Sequence, residues 1–292
     1  LEEIPSYAEV VAEYKAKGYK PAAKPIYLEA EEQVENKNWS TIRLVSDSDP
    51  TVSKTEAGKV IYNTIGGGYW TSANAAITWG FDVEEDGLYQ LAFHLKQAFG
   101  NGLPSYRRIE IDGQAPFSEF ENQKFLYSSK WRMETMADAD GEPYSIYLEK
   151  GHHTLTMTVT LGELADMVAD LNRDSLVVSD LILQITMLVG QNADANYDYR
   201  LDERIPGLIP ALTELVEHMD QYLETLKEAS GKTPSIHGQI KNSKEQMEEL
   251  IENPFDIATK KDVLDTVVST LGTAVTSLSG QALQLDNIQF VP

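Results

Sequence analysis

The chain has 292 residues, 42% of them hydrophobic, which is enough for one or two domains with ordinary globular cores. With 24 Lys and Arg against 46 Asp and Glu the formal charge is −22, which argues against nucleic acid and anionic membranes as partners and leaves a solvated acidic surface or cation binding. There is no cysteine and no run of about 18 apolar residues, so disulfides, thiol catalysis, Cys-ligated zinc and a membrane-spanning helix are excluded.

In chain order, Ile4 to Tyr19 have helical spacing, with Ser6 as candidate N-cap and Gly18, Pro21 and Pro25 as stops. This predicts a lead-in helix and linker over 1–24, on the outside of the main domain. From Ile26 the period becomes two, so Glu29 and Glu31 fall on one strand face about 6.7 Å apart. They are either a solvated face or a pair of oxygen ligands for a hard cation such as calcium. Ser40 to Leu44 and Lys59 to Tyr62 read as short strands separated by the turn Ser46-Asp47-Ser48-Asp49-Pro50. Gly66-Gly67-Gly68 lacks the Lys-Ser/Thr and the helix of a phosphate loop, and is expected to be a flexible loop presenting Tyr69 and Trp70.

Ala76 to Val83 and Leu88 to Lys96 form the clearest strand pair, joined by the hairpin loop Glu84-Glu85-Asp86-Gly87. Strands are also expected at Arg107 to Ile111, Phe125 to Met133, Tyr144 to Leu148 and the alternating Thr154 to Leu161. Many short strands with regular turns and no interleaved helices argue for an antiparallel sandwich. The period changes at Gly162. Leu164, Met167, Val168 and Leu171 step at three and four, and helical stripes follow through Leu208–Leu226, Ile236–Ile251 and Leu264–Leu278. Connections this short predict an antiparallel helical bundle. The last stretch, Ala282 to Val291, reads as a strand again and must return to the sheet built upstream. Its apolar positions change parity, Leu283 and Leu285 before Ile288 and Phe290. Either a bulge lies at Asp286, or this carboxylate shares a face with apolar neighbours and needs a donor or cation there.

Tyr27-Leu28-Glu29-Ala30-Glu31, Trp79-Gly80-Phe81-Asp82-Val83 with Gly87-Leu88-Tyr89, Ile111-Asp112-Gly113, Leu148 to Leu155 and Leu285-Asp286-Asn287-Ile288 occur in that order. The set resembles the carbohydrate-binding modules of families 6 and 35, which are galactose-binding-like jelly rolls. It is closer still to the sandwich regions of large bacterial extracellular solute-binding proteins of sugar ABC transporters, which carry a helical insertion before the last strand. The resemblance covers about Pro25 to Leu161 and the last ten residues. It implies an α+β, multidomain fold: a discontinuous antiparallel β-sandwich (25–161 and 282–292) with an inserted antiparallel helical bundle (162–281). It implies a structural calcium held by Glu29, Glu31 and Asp286, and an extracellular or cell-surface location. On that reading the chain is an excised part of an exported protein whose signal peptide lies outside it.

Catalysis has no readable constellation: Gly-x-Ser-x-Gly and His-Glu-x-x-His are absent, and His152 and His153 point oppositely on a strand, with His153 expected to support its turn. A non-catalytic module is therefore expected. Sugar binding needs aromatic faces beside planar polar groups, and the candidates are Tyr69, Trp70, Tyr106, Arg107, Tyr127 and Trp131. The expected partner is a glycan or oligosaccharide. The alternative is a structural or interaction module whose bundle docks other domains of the parent protein and so exposes an apolar patch. A hydrolase built on paired acids ranks third.

Overall fold

The computed structural model describes residues 2–292. Helix α1 (Tyr7–Lys17) opens on a capping box in which Ser6 and Glu9 satisfy each other's amides, and it stops at Gly18 in the left-handed region. Tyr7 packs edge-on against Phe117 and Tyr144, which seats the helix on the outside of the sandwich.

The strands are β1 (Ile26–Glu29), β2 (Val34–Lys37), β3 (Leu44–Val45), β4 (Thr64–Gly67), β5 (Ala76–Val83), β6 (Gly87–Gln97), β7 (Ser105–Ile111), β8 (Gln123–Phe125), β9 (Ser128–Thr135), β10 (Ser145–Leu148), β11 (Gly151–Thr160) and β12 (Leu283–Val291). They form two antiparallel sheets. Sheet A runs β10-β6-β12-β4-β3, with β1 paired to β12 and β9 to β6; sheet B runs β2-β5-β11-β7-β8. Alternate residues of β5 (Ile77, Trp79, Phe81), β11 (Leu155, Met157, Val159) and β6 (Leu91, Phe93, Leu95) are buried in one core.

β12 lies inside sheet A, against β6, β4 and β1. Leu285 faces Leu95 and Ile288 faces Phe93, while Asp286 and Asn287 together oppose His94. A bulge therefore absorbs the parity change, and Leu283, Leu285, Ile288 and Phe290 all stay buried.

Four local expectations are corrected. β1 ends at Glu29, so Glu31 lies in the following turn and not on the same strand face. Lys59 to Tyr62 form no strand, because no neighbouring strand pairs with them, and Ser40 to Leu44 contribute only the start of β3. Phe125 to Met133 are two strands in different sheets, β8 and β9. The glycine run is not a flexible loop: Gly66 and Gly67 belong to β4, where a Cβ on Gly66 (φ 98°) would fall 2.4 Å from the Leu283 carbonyl oxygen.

The chain divides into two compact units. One holds the segments up to Gly100, Pro104–Gly162 and Gly280–Pro292; the other holds Asn101–Leu103 and Glu163–Ser279. The second unit contains α2 (Ala165–Val189), the short α3 (Leu201–Arg204), α4 (Leu208–Ser230), α5 (Ser235–Glu252) and α6 (Lys261–Ser279). Its four long helices bury stripes at spacings of three and four, such as Leu208, Leu212, Leu215, Met219, Tyr222 and Leu226 of α4. Each fully buried leucine contributes roughly 1.5–3 kcal/mol of transfer free energy.

Candidate functional site on the outer face of sheet A

The same alternation that turns Leu91, Phe93 and Leu95 of β6 into the core turns His94 and Lys96 to the opposite face. On β12 that face carries Gln284 and the bulge residue Asp286. The connection between β3 and β4, residues 46–63, crosses above them. The outcome is a polar layer on a sheet face that an ordinary sandwich would leave to solvent: His94, Gln284 and Asp286 are all buried.

Two carboxylates organise the layer. Asp286 is fully buried. Its Oδ2 accepts from His94 Nδ1 (2.5 Å) and Asn287 Nδ2 (3.2 Å), and the Ser53 amide donates to the same carboxylate at 3.1 Å. Burial alone would raise this carboxyl, but the hydrogen bonds from His94 and Ser53 outweigh it and hold it below the usual carboxylate range. Ser53 Oγ lies 2.5 Å from Asp286 Oδ1 and 2.8 Å from Glu29 Oε2. One hydroxyl has one proton, so it cannot serve both acceptors. Glu31 is close by: its Oε1 is 3.6 Å from Lys54 Nζ, and its Oε2 is buried without a partner. Burial pushes the Glu31 carboxyl up to about 7.

These donor types suit a hard, oxygen-seeking cation: three carboxylates and a hydroxyl, with one carboxylate oxygen orphaned. Their present partners are protein donors, however. Among the described residues no group of three or more His, Asp or Glu side chains is arranged to hold an ion.

The second carboxylate is Asp47. It accepts from Lys96 Nζ (2.6 Å), Trp131 Nε1 (3.3 Å) and Gln284 Nε2 (3.5 Å), donors from β6, β9 and β12. Asn63 closes the loop by exchanging side-chain bonds with the Asp47 backbone at 2.9 Å. Burial works against the Asp47 charge, and the Lys96 ammonium overcomes it, so the carboxyl sits below its ordinary value. Lys96 also lies 5.2 Å from the centre of the Trp131 ring, whose other neighbour is the His94 ring at 5.1 Å. Trp131 thus links the Asp47 and Asp286 networks. A cleft of about 400 Å³ opens above Asp47, lined by Ser46, Ser48 and Asn63 on one side and Thr55 to Ile61 on the other.

Of the residues singled out in the sequence, Glu29, Asp286 and Trp131 are brought together in this layer, with Glu31 at its edge. Tyr69 is 45% exposed and lies elsewhere, its ring 4.3 Å from the Arg43 guanidinium; Tyr127 is half-buried between β8 and β9. Trp70, Tyr106 and Arg107 are corrected, because all three are core and offer no face to a ligand. Trp70 is pinned through Nε1 to the Ala75 carbonyl, and Arg107 stacks on its ring at 4.1 Å. The Arg107 guanidinium donates to the Trp70 and Tyr106 carbonyls, and burial without a carboxylate pulls it down to about 9. Tyr106 fills the space under Gly162, where any Cβ would meet its ring. His153 does brace its turn, bonded to Asp112 and to the Glu149 carbonyl.

Asp47, Ser53, His94, Lys96 and Gln284 were missed. His94 and Lys96 had a signal, as polar residues at the even positions of a strand whose odd positions are apolar. Asp47 and Ser53 had none, since a turn-forming Ser-Asp stretch looks the same whether its carboxylate points to water or into a sheet.

Solved structures similar to the chain include a family 35 carbohydrate-binding module from Clostridium thermocellum, 17% identical over 47% of this chain and 88% of that one, with a TM-score of 0.32. A CBM35 from Paenibacillus barcinonensis is 16% identical over 46% and 88%, with a TM-score of 0.33. A cycloisomaltooligosaccharide glucanotransferase from Paenibacillus sp. is 18% identical over 54% of this chain and 21% of that one, with a TM-score of 0.31. No curated protein matches. Residues 166–278 match the family model described as "Bacterial solute-binding protein, 4-helix bundle domain", so the helical unit from α2 to α6 is similar to the four-helix bundle of bacterial solute-binding proteins.

Proposed function

We propose that this chain is a non-catalytic carbohydrate-recognition module of an extracellular or cell-surface solute-binding protein serving a sugar ABC transporter, and that glycan binds where residues 46–63 cross sheet A. The observation that carries this is the Asp47 carboxylate. It is held by donors from three strands beneath a cleft of about 400 Å³ with both polar and apolar walls, a size in the range of small-molecule sites. Sugar hydroxyls require fixed planar acceptors and donors, and Asp47 and Asn63, which line the cleft, are fixed in that way. Tyr62, between two lining residues and 63% exposed, offers an aromatic face, and Trp131, bonded to Asp47, keeps the partial exposure a sugar contact needs; Tyr69 and Tyr127 are partly exposed but do not line the cleft. Both organising carboxylates have protein donors on them and depressed pKa values, which suits binding rather than proton transfer.

The proposal includes a structural calcium held by Glu29, Glu31 and Asp286. Bound there, it would supply the positive charge that one serine proton and Lys54 do not, and would reinforce the pairing that already joins the first strand to the last. The recognition role is tested by electrophoresis of the chain through gels containing neutral polysaccharides. Retardation by at least one of them is expected; unaltered mobility across a broad set contradicts the role.

A further inference from the structure

The helical unit exposes apolar side chains along one face of α2. Leu176, Leu183 and Met187 are 72%, 59% and 78% exposed, and at 100° per residue they fall within about 40° of one another. They extend over about 16 Å of helix. Beside them a groove of about 550 Å³ runs between α2 and the corner from α3 into α4, floored by Leu181 and Ile205 and bordered by Val177. Ser179 and Asp180 separate Leu176 from the Leu183–Met187 pair, yet three apolar side chains this exposed beside an apolar-floored groove are uncommon on a surface that water alone covers.

Three charged residues line the groove in a chain whose net charge is −22: two arginines and Asp180, whose carboxylate accepts from Gln184 one turn along. Arg173 and Arg204 both line it. Arg173 is 70% exposed and pairs only with Asp170 on its own helix, a contact worth little in water. Arg204 is exposed and has no hydrogen-bond or ion-pair partner among the described residues. Two arginines with spare donors beside an apolar strip complement a segment that carries both apolar side chains and carboxylates. A second copy of the chain suits the face poorly, since like charges of this size repel.

We propose that this face docks a partner helix that lays an apolar stripe along Leu176, Leu183 and Met187 and sets acidic side chains on Arg173 and Arg204. The site lies wholly within the helical unit and does not depend on glycan binding by the sandwich.

The probes are two synthetic amphipathic peptides of about 18 residues with the same leucine stripe, one flanked by Glu and the other by Lys, titrated into the full chain. The Glu peptide is expected to bind and the Lys peptide not, against the preference that the overall charge would impose. Leu183→Asp should weaken the Glu peptide about tenfold or more. The double change Arg173→Glu with Arg204→Glu should transfer the preference to the Lys peptide. All these positions are exposed, and an unchanged helical circular dichroism spectrum checks the fold of each variant. The proposal is overturned if neither peptide binds, if the Lys peptide binds wild type at least as tightly, or if Leu183→Asp changes nothing. It is equally overturned if the chain sediments as a dimer that Leu183→Asp dissolves, since the occupant is then a second copy.

Discussion

Glu31 is the residue whose ionisation differs most usefully from that of the unfolded chain. Its folded pKa, pushed up to about 7 from 4.5 by burial, means that the folded state holds this proton more tightly than the unfolded one. The stability it contributes is complete below the unfolded value and is lost as pH rises through the folded value. Melting temperature should therefore fall, through this group, between about pH 5 and about pH 8, and Glu31→Gln should flatten that slope. A slope that Glu31→Gln leaves unchanged would show that the carboxyl titrates normally. Calcium belongs to the same locus. At about pH 8, added calcium should raise the melting temperature and a chelator lower it, and Glu31→Gln should remove most of the response. Equal melting curves in calcium and chelator reject a bound ion. Trp70 sits at the opposite pole, since its indole is fixed in the core and Trp70→Ala should cost about 3–5 kcal/mol in denaturant unfolding rather than act on a ligand.

At the scale of elements, β12 decides how the sandwich closes. Gly66 must stay small for β4 to lie against it. Gly66→Ala should cost at least about 1–3 kcal/mol from backbone strain, with further loss from displacement of Leu283. Urea unfolding measures this, and a change within error would mean that β4 can move away freely. What the sequence made legible follows from how each element is stabilised. β5 and β11 bury every second side chain, β6 alternates apolar and polar residues over Phe93 to Lys96, and α4, α5 and α6 bury stripes, so periodicity reveals them. β2 (Val34–Lys37) has no such pattern, and it exists because β5 offers it an edge. The bulge at Asp286 left a mark, a parity break, because an extra residue must shift every later side chain. The polar layer was only half legible. Glu29 and Asp286 stood out as acids in largely apolar strands and Trp131 as an aromatic suited to sugar stacking, whereas Asp47 and Ser53 reach the layer through a loop whose path no local rule encodes.

At the scale of the whole molecule, the chain devotes one unit to a sandwich whose first and last strands are neighbours, and interrupts it with a helical unit of solute-binding-protein type. The −22 charge makes polyanionic glycans poor ligands, so the glycan sought is neutral. The most direct measurement is titration of the chain with such an oligosaccharide, observing the Trp131 indole N–H resonance while affinity is determined for wild type and Asp47→Asn. A shift of that resonance on binding is expected, together with a loss of affinity of about tenfold or more in the variant. Binding that leaves the Trp131 resonance in place and is equally tight in Asp47→Asn would contradict the assignment of the glycan site to sheet A.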